Sequence, residues 1–212
     1  GNDSIVMAGT GMTGNTIDLG LGTDTIKFTE ATNLDTVTVT STTITGAKSL
    51  TYEKSATAAA ITTGAGADVV VFEAALSGAG VIATHSGNDS LQFLDSAEFT
   101  GGANLGAGAD SVYGADRISN STISGGAGKD TFLISTLSDA AIYGGSGQDS
   151  INITGSLYGA TVDFGEGNEI FSLTVGATNS TIAGGDGNDT FVVTSLQTAS
   201  KIDGGAGKDS VS

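Results

Sequence analysis

An acidic side chain returns about every twenty residues along this chain, and each time an apolar side chain follows two places later. The acids are Asp3, Asp24, Asp68, Asp89, Asp110, Asp130, Asp149, Glu169, Asp189 and Asp209, at intervals of 19 to 21 residues, apart from one gap of 44 in which Lys48 stands at the missing position. Two places on come Ile5, Ile26, Leu50, Val70, Leu91, Val112, Phe132, Ile151, Phe171, Phe191 and Val211. Four places on come Met7, Phe28, Tyr52, Phe72, Phe93, Ile134, Ile153, Leu173 and Val193, a series broken by Gly114. A spacing of two is that of a strand with one buried face. Seven places before the acid a second apolar series runs through Ile17, Ile61, Ile82, Ile123, Ile142, Val162, Ile182 and Ile202, with Ala103 as the exception, and marks a second strand.

One such unit cannot enclose its own apolar face, so burial requires successive units to stack. Each unit reads as a strand, a polar turn such as Thr136-Leu137-Ser138-Asp139 or Ser195-Leu196-Gln197-Thr198, a second strand, and a glycine-rich turn that carries the acid. The pattern predicts an all-β fold: a right-handed parallel β-solenoid (β-roll or β-helix) with about twenty residues and two strands per coil. One module of roughly ten to eleven coils then spans residues 1–212, with a degenerate coil near 31–57, and at the spacing of paired strands the rod is about 50 Å long. The chain opens on Gly1-Asn2-Asp3-Ser4-Ile5 and closes on Gly207-Lys208-Asp209-Ser210-Val211, the same motif cut through, so it reads as an excerpt from a longer array.

Composition agrees with this plan. Of the 212 residues 34 are glycine, which calls for many tight or left-handed turns, and proline is absent, which suits consecutive paired strands that need every N–H. Lys and Arg total 7 against 23 Asp and Glu, a net charge of −16. That balance disfavours nucleic acid and anionic membrane and favours cations as partners. There is no cysteine for a disulfide or a thiolate metal site, and no apolar run approaches the roughly 20 residues of a membrane helix, so a soluble chain is expected.

Four glycine-rich turns are complete: Gly125-Gly126-Ala127-Gly128-Lys129-Asp130, Gly144-Gly145-Ser146-Gly147-Gln148-Asp149, Gly184-Gly185-Asp186-Gly187-Asn188-Asp189 and Gly204-Gly205-Ala206-Gly207-Lys208-Asp209. Carboxylates stacked about 5 Å apart repel by ~0.8 kcal/mol per pair in water and by ~3 kcal/mol at a dielectric of 20, which opposes stacking unless a cation intervenes. Glycine lets the backbone curl its carbonyls inward, and hard oxygen ligands in a flexible shell suit Ca²⁺ better than Mg²⁺, zinc or copper.

These turns, each reading G-G-x-G-x-D and followed by Ser or Thr and an apolar residue, resemble the nonapeptide of the RTX family of exported bacterial proteins. The resemblance implies a parallel β-roll in which several calcium ions sit between successive coils, held by glycine carbonyls and Asp carboxylates, and a chain that folds on calcium after type I secretion. The candidate metal residues are therefore Gly125, Gly126, Gly128, Asp130, Gly144, Gly145, Gly147, Asp149, Gly184, Gly185, Gly187, Asp189, Gly204, Gly205, Gly207 and Asp209, together with Asp24, Asp68, Asp89, Asp110 and Glu169 from turns that lack the first glycine. Here the opposite turn is an ordinary polar one, so calcium is expected along one edge only. Lys48 would stand between Asp24 and Asp68 and replace a metal charge, leaving no calcium on either side of it, or else lie in solvent on a degenerate, mobile loop.

No catalytic residue is expected. His85, the only histidine, stands where other turns have glycine and has no nucleophile beside it. Acids shared by every unit read as structure, whereas a catalytic pair occurs once. Asn120-Ser121-Thr122 and Asn179-Ser180-Thr181 match glycosylation acceptors but are expected to cap the polar turn. The function expected is a calcium-binding rod of a large extracellular or cell-surface bacterial protein, of adhesin or surface-layer type, with neighbouring repeats and possible surface proteins or glycans as partners. The alternative is the accessory repeat domain of a secreted protease, lipase or polysaccharide-modifying enzyme.

Overall fold

The computed structural model describes residues 2–8, 11–13, 16–18, 24–29, 36–40, 43–45, 47–52, 55–57, 60–63, 65–73, 76–77, 81–94 and 98–212, and these form an all-β parallel solenoid. The strand after each acid builds an eleven-stranded sheet that runs from Ser4–Ala8 through Thr131–Ile134 to Ser210–Val211. The strand leading into each glycine-rich turn builds an eight-stranded sheet from Ala60–Thr62 to Lys201–Ala206, while Thr16–Asp18 and Thr43–Thr45 pair separately. The spacing of about twenty residues per coil is the one the acids predict.

A third sheet of nine strands, from Gly11–Thr13 to Gly176–Thr178, corrects the expected two-strand coil. The predicted polar turn at 136–139 supplies the strand Thr136–Ser138, and Leu196 of the turn at 195–198 bridges to Ala177. A strand this short buries one apolar side chain, so no period-two apolar pattern develops in the sequence. Those side chains form a third core column of Phe99, Ile118, Leu137, Leu157 and Ala177, all buried.

Pairing in register places equivalent positions on top of one another. Val70 pairs with Leu91, Leu91 with Val112, Val112 with Phe132, and Phe132 with Ile151. Removing each such side chain from water contributes ~1.5–3 kcal/mol. The rings of Phe72 and Phe93 stack with centroids 5.6 Å apart, and those of Phe171 and Phe191 lie 6.4 Å apart. The series seven residues before the acid is buried as expected from Ile61 to Ile182, Ala103 included. Gly114, which breaks the other series, has φ 88, a conformation closed to most side chains.

The corner between the second and third faces is turned by Asn120, Asp139 and Asn179, each with φ 50. Asn and Asp tolerate the left-handed region better than other side chains, which accounts for their recurrence there. At Lys48 the ladder is irregular: Asp24 pairs with Ala47 while Thr25 pairs with Ser49, so one extra residue bulges between them. On the other side Ser49 pairs with Val69, which leaves Lys48 one place before its strand partner just as Asp68 is. The side chains of Lys48 and Asp24, and with them the expected replacement of a metal by the ammonium, lie outside the described residues.

Candidate metal centre in the glycine-rich turns

Each glycine-rich turn stacks on the next through the backbone. Gly128 N–H donates to the Ser146 carbonyl at 2.7 Å and Gly147 N–H to the Glu166 carbonyl at 2.6 Å, one coil on in each case. The second and third glycines of the motif have positive φ, 114 at Gly145 and 129 at Gly147. A Cβ at Gly147 would press on the carbonyl of Gly128 in the preceding coil. Gly147→Ala is therefore expected to cost ~1–3 kcal/mol, read as a lower urea midpoint. An unchanged midpoint would mean that the turn adopts another backbone path.

The acids that follow these turns point into the solenoid. Asp68, Asp89, Asp110, Asp130, Asp149, Glu169 and Asp189 are between 0 and 2% exposed, and Asp209 in the last coil is exposed. Gly125, Gly144 and Gly184 are buried with them, whereas the glycines at positions two and four of each turn are partly open and their x residues face solvent.

One carboxylate oxygen of Asp89, Asp110, Asp130, Asp149, Asp189 and Asp209 continues the ladder. Asp89 Oδ1 accepts from the Asp68 N–H at 2.8 Å, Asp110 Oδ1 from the Asp89 N–H at 2.7 Å, and Asp130 Oδ1 from the Asp110 N–H at 2.9 Å. Asp149 does the same for Asp130 at 2.9 Å, Asp189 for Glu169 at 3.0 Å, and Asp209 for Asp189 at 3.0 Å. The other oxygen, Oδ2, of Asp110, Asp130, Asp149 and Asp189 is buried with no hydrogen-bond donor. A buried anion in that state is costly unless a positive charge reaches it.

Burial accordingly dominates the acidities. It pushes Asp110 up to about 6 and Asp130 up to about 7, each eased by the backbone N–H bond and raised further by neighbouring carboxylates. Asp149 is raised for the same first reason. Glu169 is pushed up to about 8 by burial and then by the Asp189 carboxylate beside it.

The unpartnered oxygens have a common direction. A Cβ built on Gly125 would collide with Asp130 Oδ2 and lie 2.8 Å from the Gly144 carbonyl oxygen of the next coil. On Gly144 it would collide with Asp149 Oδ2 and lie 2.8 Å from the Phe164 carbonyl oxygen. On Gly184 it would meet Asp189 Oδ2 and the Gly204 carbonyl oxygen. A carboxylate and a backbone carbonyl thus converge on the space in front of each first glycine, and both are hard oxygen donors of the kind that calcium takes. Among the described residues no three His, Cys, Asp or Glu side chains cluster, so a cation held here takes most of its ligands from the backbone. Of the residues expected to bind metal, Gly125, Gly144 and Gly184 and their acids come together in this way, while Gly204 meets only the carboxylate of Asp209. The second and third glycines shape the turn, and Asp68, Asp89, Asp110 and Glu169 lie in the column but face no such glycine.

His85 is exposed, with φ 67 in the place of a glycine, and its carbonyl accepts from Ala107 N–H at 2.8 Å. Asn120 and Asn179 are exposed at the corner they turn.

Fold and column together define a class, a parallel β-solenoid of roughly twenty-residue coils with one inward-facing acid per coil. No protein-family model matches the sequence, and no curated protein does. Among solved structures the chain is similar to a hyperactive, Ca²⁺-dependent, β-helical antifreeze protein from an Antarctic bacterium, with a TM-score of 0.64 and 20% identity over 100% of this chain and 83% of that one. At that identity the likeness is one of fold. No helix among the described residues is long and apolar enough to cross a membrane.

Proposed function

We propose that the chain is a calcium-binding structural rod of an exported bacterial surface protein, of adhesin or surface-layer type, and that it folds on binding calcium. The observation that carries this reading is the row of buried carboxylate oxygens without donors, of which those of Asp130, Asp149 and Asp189 each face a backbone carbonyl across a glycine. A calcium ion supplies the positive charge that offsets their desolvation and mutual repulsion. The chain's own part is to present the oxygens: the ladder N–H fixes one oxygen of each carboxylate, and the glycine leaves room for the other. The calcium dependence of the antifreeze protein supports the cation assignment, as does the excess of acid over base. An acidic chain that lacks its cation stays unfolded and can be exported, and external calcium then drives folding.

Ice binding, the activity named for the antifreeze protein, receives less support. A surface matched to a crystal needs the same groups at every repeat. The outward position beside Leu133 holds Tyr113 on one side and Asn152 on the other.

Circular dichroism under an excess of calcium chelator at pH 7.5 tests the main reading. The strand signal is expected to collapse and to return when calcium is restored. Strand content that survives full chelation would show that the fold does not need the metal.

A further inference from the structure

The residue five places before each acid occupies the space in which a cation would sit, and it is not always glycine. Thr63 and Thr84 hold that place before Asp68 and Asp89, and both are buried. Their hydroxyls do what the cation would do for the next coil: Thr84 Oγ1 donates to the Leu105 carbonyl at 2.7 Å, and Thr63 Oγ1 to the Thr84 carbonyl at 3.4 Å. These carbonyls are the counterparts of those that face the open glycines, since Gly106 pairs with Gly126 and Gly126 with Gly145 in continuous register.

Leu105 and Phe164 fill the place with apolar side chains that are fully buried, and the Phe164 ring lies 6.2 Å from that of Phe171, edge to face. The acid of the Phe164 turn differs too. Glu169, one methylene longer, directs Oε1 at the Cα of Gly167, whereas Asp130, Asp149 and Asp189 direct Oδ2 at the first glycine of their turns. Side chain and carboxylate oxygen thus compete for a single space, and at the Phe164 turn, where the side chain takes it, the carboxylate goes elsewhere.

We infer that the residue five places before each acid decides which turns load calcium: glycine opens the site, while threonine, leucine or phenylalanine closes it. The ions then sit at Gly125 and Gly144 and again at Gly184, with the Phe164 coil dividing the row into two groups. Gly204 faces the carboxylate of Asp209, which supplies its three nearest atoms. This assignment rests on the calcium reading above and narrows it from every acid in the column to those paired with a glycine.

Two substitutions test it, with the number of calcium ions bound per chain as the readout, from calorimetric titration and from metal analysis of desalted protein. Gly144→Thr copies the Thr84 arrangement and is expected to bind one ion fewer than the wild type while keeping its strand signal. Thr84→Gly opens a place between Asp89 and the Leu105 carbonyl and is expected to bind one ion more. An unchanged count in Thr84→Gly overturns the assignment, and it decides alone should Gly144→Thr fail to fold. A folded Gly144→Thr with the wild-type count overturns it as well. A wild type that binds no calcium sinks the underlying reading instead, so the two failures are distinguishable.

Discussion

Freed of calcium by a chelator, the protein is expected to remain folded at pH 5 and melt there, but to have lost its strand signal at pH 8, and saturating calcium is expected to make pH 8 the more stable condition. Well below pH 3.8, the carboxylates are protonated in the folded and unfolded chains alike, so burial costs little. As pH rises the unfolded chain ionises first, from the ordinary value of 3.8 for Asp, whereas the folded chain keeps its protons to about 6 at Asp110, about 7 at Asp130 and about 8 at Glu169. The folded state therefore binds more protons than the unfolded one between pH 4 and pH 8, and its stability falls through that window. Each tenfold change in proton affinity is worth ~1.4 kcal/mol, so three such groups weigh against the whole 5–15 kcal/mol of a typical domain. Calcium takes the ionised carboxylates of the open glycine turns, Asp130, Asp149 and Asp189, so its stabilisation grows with pH and fades towards pH 5. Melting curves recorded at both pH values, with and without metal, check this. Equal melting temperatures in the metal-free pair would mean that water reaches the column.

A core truncation gives the second large effect. Phe171 is buried between Phe164 and Phe191, with centroids 6.2 and 6.4 Å away. Phe171→Ala removes a ring that packs on its own coil and on the next, and is expected to cost ~3–5 kcal/mol. Because each coil leans only on its neighbours, the damage is expected to separate the coils on either side rather than spread evenly. Val192 comes from the next strand of the same sheet but faces solvent, and Val192→Ala is expected to change little. Urea unfolding of the two variants reads the contrast. A loss below ~1 kcal/mol for Phe171→Ala would mean that the surrounding coils close over the gap.

The two long strands of each coil were legible because a position that recurs every twenty residues with the same character has to stack on itself. Ile142 and Phe132 announce their burial in that way, and the acids from Asp68 to Asp189 announce their alignment in one column. The middle face was not legible, because Leu137 is the single buried apolar residue of its strand and reads as a stray apolar residue within a polar turn. The corner residues Asn120, Asp139 and Asn179 were hidden for a similar reason: their role is a backbone angle, and the equivalent place in the neighbouring coil is held by Gly159 at φ 58.

The sequence by itself determined the period, the parallel stacking and the alignment of acids along one edge, since all three follow from repetition at fixed spacing. The tertiary structure alone decided that the acids turn inward, that a third wall closes the coil, and which turns stay open. Those outcomes depend on neighbours about twenty residues away in the chain. A carboxylate at Asp149 and a carbonyl at Phe164 become one site only when their coils lie against each other and Gly144 leaves the space between them empty.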